Sequence, residues 1–244
     1  MFCGCGNKRS RWNISLPAGT VFPLLQITDL HHRQMGRGNC RIIRQAQQLQ
    51  PDVIALTGDM ISRDMRDFHE ISSFLQALSK ISPTYLCTGN HELDLPPEVQ
   101  REFWAMAEQA GCHPLRNETV PLEKSGCPPL YLAGAELAYG IYRDENRGFL
   151  HLQPYTAEDL TQALGTRQGC TVLLAHNPLL LDSYAGWGAD VVLSGHVHGG
   201  MVRLPFVGGV LSPERRFSRN MTRAVRERRH KAVCIRRHRQ AAAV

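Results

Sequence analysis

Two histidines separated by one residue, His196 and His198, follow the apolar run at residues 189–193. Gly195 precedes the pair and Gly199 follows it, so the backbone can turn tightly there and approach a bound group closely. In an extended segment, side chains two residues apart point to the same side of the chain. The pair could therefore bind one metal ion or two adjacent ions, provided that oxygen ligands lie at other strand ends.

Side chains of metal-binding type also follow several other apolar runs. They are Asp29, His31, Asp59, Asn90 and His176. Taken one at a time, each has an ordinary explanation, such as a helix cap, a turn residue or a core histidine. Because open α/β folds place their sites at strand ends, the joint occurrence of these residues indicates a common site. Carboxylate, amide oxygen and imidazole together suit Mn, Fe, Zn or Ni better than Ca or a thiolate-bound structural Zn.

The elements that must position these residues alternate along the chain, as βαβ units do. Apolar runs predict strands at residues 22–27, 52–56, 83–87, 170–175 and 191–193. Amphipathic periodicity predicts helices at residues 39–50, 68–80, 97–110 and 156–164, the last with Asp159 placed to complete a capping arrangement. We also expect short strands within residues 112–135, a surface excursion at 139–153 and a hairpin at 202–211. The whole pattern predicts an α/β fold.

Composition limits the class of protein further. A chain of 244 residues with 43% hydrophobic content can bury one sizeable α/β core or at most two small domains. No apolar run is long enough to cross a bilayer, and residues 1–11 lack the apolar core of a signal peptide, so we expect a soluble, cytoplasmic chain. The eight cysteines are scattered, several of them in apolar runs, which predicts reduced buried thiols rather than a disulfide framework.

The positive net charge of +6 is confined to one end of the chain. Residues 213–244 carry a net charge of +9, whereas residues 1–212 carry −3. A basic tail can bind nucleic acid or an anionic membrane surface. Since the body has no basic stripe, we expect no nucleic-acid partner, and peripheral contact with a membrane stays open.

The ordered motifs resemble those of the calcineurin-like metallophosphoesterases. The series is Asp29-x-His31, Gly58-Asp59, Gly89-Asn90-His91-Glu92, His176 and Gly195-His196-x-His198. Residues 173–178 and 194–206 are similar to a bacterial subfamily that includes membrane-associated phosphoesterases and UDP-diacylglucosamine pyrophosphohydrolases. The resemblance covers residues 14–217 and implies a four-layer α/β/β/α sandwich, with an extension at 1–13 and a basic tail at 218–244. Such relatives often begin with a transmembrane anchor, which this sequence does not show.

The resemblance also implies a binuclear metal centre and a role for each of its residues. One divalent ion would be held by Asp29, His31, Asp59 and His198, and the other by Asp59, Asn90, His176 and His196, with Asp59 bridging. Two cations about 3.5 to 4 Å apart can clamp a phosphoryl group while a water between them loses a proton and attacks in line. His91 would protonate the leaving group, or alternatively bind phosphate without transferring a proton. Glu92 would orient a ligand imidazole.

The function that follows is metal-dependent hydrolysis of a phosphoester or pyrophosphate bond in a small-molecule or lipid-linked substrate. The alternative is a non-catalytic scaffold that binds anionic partners through the tail, and loss of ligands would distinguish it. We expect the pocket walls at residues 34–38 and 135–153, and no substrate-binding residue is assigned within them. The remaining histidines of the body are predicted to lie on the surface: His32, His69, His113 and His151.

The tail after Phe217 lacks the strand signals that the subfamily resemblance leads us to expect. With suitably chosen synonymous codons, the DNA for residues 218–224 would also encode Pro-Lys-Tyr-Asp-Ala-Gly when it is read from its third base. Residues 225–239, read from the second base, can encode Tyr-Glu-Asn-Gly-Gly-Thr-Lys-Leu-Tyr-Val-Ser-Ala-Gly-Ile, which has turn and strand signals. We therefore hypothesise two small deletions that shift the reading frame, against the alternative of a genuine basic tail.

This hypothesis predicts the coding DNA. If the frame is shifted, sequencing should find codons compatible with both alternative frames, and restoring the frame should increase the soluble yield. The reason is that a sheet without its closing strands exposes an unpaired edge, which promotes aggregation. Codons that are incompatible with the alternative frames would contradict the hypothesis.

Overall fold

The computed structural model describes residues 22–126, 128–143 and 153–196, together with the backbone of five short strands in the tail region. Two sheets form its centre. The first contains β1 (Leu24–Ile27), β2 (Val53–Thr57), β3 (Thr84–Cys87) and β4 (Cys112–Pro114), paired in parallel in that order. Because Ile27 pairs with Leu56 and Thr57 with Cys87, the carboxyl ends of β1, β2 and β3 lie side by side.

The second sheet is formed by later parts of the chain. Its strands in spatial order are β5 (Glu118–Leu122), β6 (Leu130–Gly134), β7 (Cys170–Leu174) and β8 (Val191–Ser194). β6, β7 and β8 are parallel, and β5 is antiparallel to β6. Leu174 pairs with Leu193, so the two strands that precede His176 and His196 also end together.

Helices cover the outer face of each sheet. On the first sheet these are α1 (Cys40–Leu49), α2 (His69–Ser79) and α4 (Pro97–Gln109), with the one-turn helix α3 (Asn90–Leu93) at the end of β3. On the second sheet they are α5 (Ala157–Leu164) and α6 (Leu181–Trp187). Thr156 caps α5 by accepting from the backbone N–H of Asp159, as the sequence predicts. α6 is not among the predicted helices.

Three apolar clusters separate these layers. Alternate strand residues such as Leu24, Val53 and Leu193 fill the space between the two sheets. Their neighbours in sequence, such as Leu25 and Ile54, pack against α1, α2 and α4. A third cluster lies between the second sheet and helices α5 and α6. The order of layers is helix, sheet, sheet, helix, which confirms the predicted four-layer sandwich.

The structure also tests the predictions for the histidines outside the motifs, the cysteines and membrane-spanning helices. His32, His69 and His113 are exposed as predicted, whereas His151 lies outside the described residues. The described cysteines are free thiols, with Cys87 and Cys112 buried and Cys40 exposed. In the part of the chain that the structure describes, no helix combines the length and the apolar character needed to span a membrane.

The tail region contributes strands to both sheets. β9 (Val202–Leu204) and β10 (Gly208–Leu211) form the predicted antiparallel hairpin. β12 (Lys231–Cys234) pairs in parallel with β8 and is extended by β11 (Val225–Arg226), while β13 (Ala242–Ala243) pairs with β1. β12 thus supplies a hydrogen-bonding partner for β8, whereas a shifted frame is expected to leave an edge of the second sheet unpaired. The frame hypothesis itself remains a prediction about the DNA.

Candidate metal centre

The predicted ligands lie at the carboxyl ends of five strands from both sheets. Asp29 and His31 follow β1, Asp59 follows β2, and Asn90 begins the one-turn helix after β3. On the second sheet, His176 follows β7 and His196 follows β8. His198 lies outside the described residues. The topology thus brings to one end of the sandwich the six predicted ligands that are described.

Four of these ligands occupy the left-handed region of backbone conformation. Their φ angles are 53° at Asp29, 51° at His31, 54° at Asp59 and 66° at His196. For residues other than glycine this conformation is uncommon and costs about 1 to 3 kcal/mol each, and it concentrates at functional sites. The backbone is therefore strained at the same residues whose side chains would bind metal.

Hydrogen bonds between the strand-end loops hold this conformation. In the first sheet, Asp29 N donates to Gly58 O at 3.2 Å and His31 N donates to Asp59 O at 3.1 Å. Between the sheets, the backbone N–H of His196 donates to Asp29 Oδ1 at 3.1 Å. The loops of the two sheets are consequently joined through a ligand carboxylate.

Two glycines allow the loops to approach so closely. Gly58 has a φ of +85°, and a Cβ there would lie 2.6 Å from His176 Nδ1. A Cβ on Gly195 would overlap Thr28 Oγ1 and lie 2.7 Å from Asp29 Oδ2. A larger residue at either position would push apart the two sheets at the site.

The carboxylate of Asp59 lies at the centre of the site. Its Oδ1 accepts from the backbone N–H of His91 at 2.9 Å. Its Oδ2 lies 3.2 Å from His176 Nε2 and 3.6 Å from His31 Nε2. Burial would raise the pKa of this carboxyl, but the imidazoles of His176, His91 and His31 together hold the pKa well below its usual range. Asp59 is accordingly an anion that faces imidazoles from both sheets.

One cluster of ligand atoms contains Asp59, His176 and His196, whose ligand atoms lie within 4.8 Å of one another. Asn90 joins it, since Asn90 Oδ1 is 2.8 Å from His196 Nδ1. His176 Nδ1 is 2.6 Å from the carbonyl oxygen of Thr57, which can only accept, so Nδ1 carries a proton and Nε2 is the nitrogen that would bind a metal ion. These four residues are the ones predicted to hold one ion.

The second cluster contains His31, Asp59 and His91. The rings of His31 and His91 meet edge to face, with centroids 4.4 Å apart. Asp29, predicted to share an ion with His31, belongs to neither of the two clusters found among the described residues. Its Oδ2 accepts from Thr28 Oγ1 at 2.9 Å, and burial raises its pKa to about 6, with His176 opposing that shift.

An arginine holds the ring of His91. The backbone N–H of Arg63 donates to His91 Nδ1 at 3.1 Å, and Arg63 Nη2 lies 3.1 Å from Nε2. The guanidinium also pairs with Asp94 at 2.7 Å. Burial lowers the pKa of His91; Asp59 opposes this shift and Arg63 adds to it. Both contacts come from N–H donors of Arg63, whereas a neutral imidazole has only one acceptor nitrogen, so the two contacts compete for its lone pair.

The structure corrects the role predicted for Glu92. This carboxylate is fully buried and accepts from the backbone N–H groups of Gly89, Asp59, Met60 and Ile61, at 2.8 to 3.3 Å. Burial raises its pKa to about 7, and Asp59 adds to the shift while the N–H groups oppose it. Glu92 therefore fixes the backbone that carries Asp59, and it contacts no ligand imidazole among the described residues.

A tyrosine that the sequence does not single out also contacts the site. Residues 139–153 are predicted as a surface excursion, yet Ile141 and Tyr142 are buried. The ring of Tyr142 lies edge to face with His196 at a centroid distance of 5.1 Å, and 6.1 Å from His176. The one feature of the sequence that could have identified Tyr142 is its aromatic side chain within a stretch predicted to form a wall of the pocket.

The residues present fit divalent metal ions. Ligand atoms on a common ion lie about 3 Å apart, since each is about 2.0 to 2.2 Å from the ion. The 2.8 Å and 3.2 Å separations within the cluster of His196, Asn90, His176 and Asp59 meet this condition. Burial would lower the pKa of His176, but Asp59 and Asp29 raise it to about 10, so the site favours positive charge.

Comparison with known proteins identifies the family of this chain. The family described as calcineurin-like phosphoesterase matches residues 22–200. The chain is 28% identical over 78% of its length to the uncharacterized metallophosphoesterase YkoQ of Bacillus subtilis, and 26% identical over 79% to the phosphodiesterase YaeI of Escherichia coli. It is 26% identical over 75% of its length to the UDP-2,3-diacylglucosamine pyrophosphatase LpxG of Chlamydia muridarum.

The chain spans 66%, 66% and 65% of the lengths of these three relatives, respectively. The family match covers the described strand ends that carry the candidate ligands. The predicted family is confirmed: this chain belongs to the calcineurin-like phosphoesterase family.

Proposed function

We propose that this chain hydrolyses a phosphoester or pyrophosphate bond with two divalent metal ions bound on either side of Asp59. The observation that carries the proposal is the position of Asp59 Oδ2, which lies between Nε2 of His176 and Nε2 of His31. One carboxylate thereby belongs to both clusters of ligand atoms. A shared carboxylate can bind two metal ions at the short spacing of a two-metal site.

The residues that would hold the two ions are divided between the sheets. Asp29, His31 and His198 with Asp59 form one proposed set, and Asn90, His176 and His196 with Asp59 form the other. When bound, two ions such as Mn, Fe, Zn or Ni supply an activated water and offset the charge of the phosphoryl group. The chain contributes by holding its ligands in a preset arrangement, through strained backbone, the Glu92 hydrogen bonds and the packing of Tyr142.

His91 is the proposed general acid for the departing oxygen. Arg63 holds its ring through contacts with both nitrogens, and the protonated imidazole would supply the proton. The ring also touches His31, so it stands beside the proposed metal ligands. Simple phosphate binding without proton transfer is the alternative role, and leaving-group chemistry separates the two.

The proposed substrate is a small-molecule or lipid-linked phosphoester. Two relatives support this class by their names, one as a phosphodiesterase and one as a pyrophosphatase of UDP-2,3-diacylglucosamine. A lipid-linked substrate would bring the chain into peripheral contact with a membrane surface. Nothing favours the non-catalytic scaffold, since the sequence retains each residue of the proposed ligand sets.

The first test replaces the shared carboxylate. Asp59→Ala should abolish binding of both ions rather than weaken one, because a bridging ligand contacts each of them. Metal analysis of protein loaded with Mn should fall from two ions to fewer than one per chain. Turnover of p-nitrophenyl esters should fall by about 1000-fold or more.

Asp52→Ala is the matched control for this variant. Asp52 lies at the other end of the same strand, pairs with Lys124 and is remote from the ligands. Since a partly exposed ion pair contributes little to stability, the control should keep its metal and its turnover. Full metal content and full activity in Asp59→Ala would refute the shared-ligand assignment.

A second test examines His91 through the leaving group. If His91 donates a proton, His91→Ala should reduce turnover of alkyl phosphoesters by about 100- to 10,000-fold, because alkoxides leave poorly without protonation. The loss with p-nitrophenyl esters should be about tenfold or less, since p-nitrophenolate needs little help. His113→Ala, at an exposed histidine, serves as the control. Equal losses on both substrates would instead indicate phosphate binding.

A further inference from the structure

A buried glutamine lies between the two sheets beneath the metal centre. Residues of β1 alternate, so that Leu24 faces the second sheet while Leu25 and Ile27 face the helices. Gln26 follows the alternation of Leu24 and occupies the space between the sheets, where its side chain is 1% exposed. It is a polar residue in a layer otherwise composed mainly of aliphatic side chains.

The amide of Gln26 joins the strands that carry ligands of both sheets. Nε2 donates to Thr57 Oγ1 at 2.7 Å, in the first sheet, and to Ser194 O at 3.0 Å, in the second. A backbone carbonyl can only accept, which fixes the orientation of the amide. Thr57 is two residues before Asp59, and Ser194 is two residues before His196. A single side chain thus ties together the two strand ends that lead into the site.

Thr57 also contacts a third proposed ligand, His176. The carbonyl oxygen of Thr57 accepts from His176 Nδ1 at 2.6 Å, a bond that orients the ring with Nε2 3.2 Å from Asp59 Oδ2. The path from Gln26 to His176 therefore consists of two buried hydrogen bonds through one threonine. Displacement of Thr57 would turn or shift the imidazole relative to Asp59.

Gln26 is a costly choice for folding alone. Its Oε1 is buried and has no hydrogen-bond partner among the described residues. An unsatisfied buried acceptor loses its hydration without compensation, whereas an apolar residue of similar size would not. Because Gln26 carries this cost and lies beneath the metal centre, its presence is more simply explained by a role in that centre than by a role in folding.

We infer that Gln26 is a positioning residue that sets the spacing between the two halves of the metal centre. It acts through Thr57 on His176 and Asp59, and through the end of β8 on His196. The inference rests on the proposed two-metal function. It predicts that removing the amide weakens metal binding while leaving the metal-free fold intact.

The test compares Gln26→Met with Leu24→Met in the full chain. Both variants place an unbranched apolar side chain on the same face of β1, but only Gln26→Met removes the bonds to Thr57 and Ser194. We expect Gln26→Met to bind Mn²⁺ about 10- to 100-fold more weakly than wild type, as for loss of groups that orient ligands. Leu24→Met should keep the wild-type affinity. Titration against a fluorescent chelator, or the EPR signal of free Mn²⁺, measures both.

Thermal unfolding without metal provides the structural readout. The midpoint of Gln26→Met should stay close to that of wild type, because removal of the unpartnered Oε1 offsets the loss of the hydrogen bonds to Thr57 and Ser194. A variant that fails to fold, or a normal Mn²⁺ affinity in a folded variant, would overturn the inference. Failure of the wild-type chain itself to bind Mn²⁺ would instead overturn the proposed function.

Substitution at Thr57 tests the path independently. Thr57→Val removes the hydroxyl that accepts from Gln26, whereas Thr57→Ser keeps it. We expect weaker Mn²⁺ binding in Thr57→Val and rescue of the affinity in Thr57→Ser. Combined with Gln26→Met, Thr57→Val should add little further loss, since both remove the same bond. Additive losses, or equal affinities of the Val and Ser variants, would contradict the path.

Discussion

The arrangement of the site depends on one buried anion, the carboxylate of Asp59. A carboxylate at this depth is costly unless cations or hydrogen-bond donors surround it. Here the imidazoles of His176 and His31 face Oδ2 from two sides, and the backbone N–H of His91 donates to Oδ1. The strained φ of 54° that directs the side chain inward is held by Glu92. The surrounding loops are therefore organised around a negative charge that two metal ions would complete.

Much of this arrangement can be predicted from the sequence because parallel strands impose order. A polar residue that directly follows a strand of four or five buried residues must lie at the carboxyl end of that strand. Pairing between parallel strands then places neighbouring ends side by side. Asp29, Asp59 and His176 could thus be assigned to one end of the fold without knowledge of side-chain positions. The helix cap formed by Thr156 and Asp159 was equally local and therefore predictable.

The rest could not be predicted, since it depends on contacts between segments far apart in the chain. Tyr142 comes from a stretch without periodicity, and its burial against His196 depends on how that loop returns to the second sheet. The role of Glu92 depends on the backbone conformation of residues 59–61, which the motif does not specify. The role of Gln26 depends on its hydrogen bond to Ser194 in the second sheet, and the sequence of its own strand does not predict that contact.

The central claim is that Asp59 joins two metal ions into one site. Crystals soaked in Mn²⁺ and measured at the manganese absorption edge would locate the ions directly by anomalous diffraction. We predict two peaks about 3.5 to 4 Å apart, on either side of Asp59 Oδ2, one near His31 and the other near His176. A single peak, or two peaks of which only one contacts Asp59, would contradict the account.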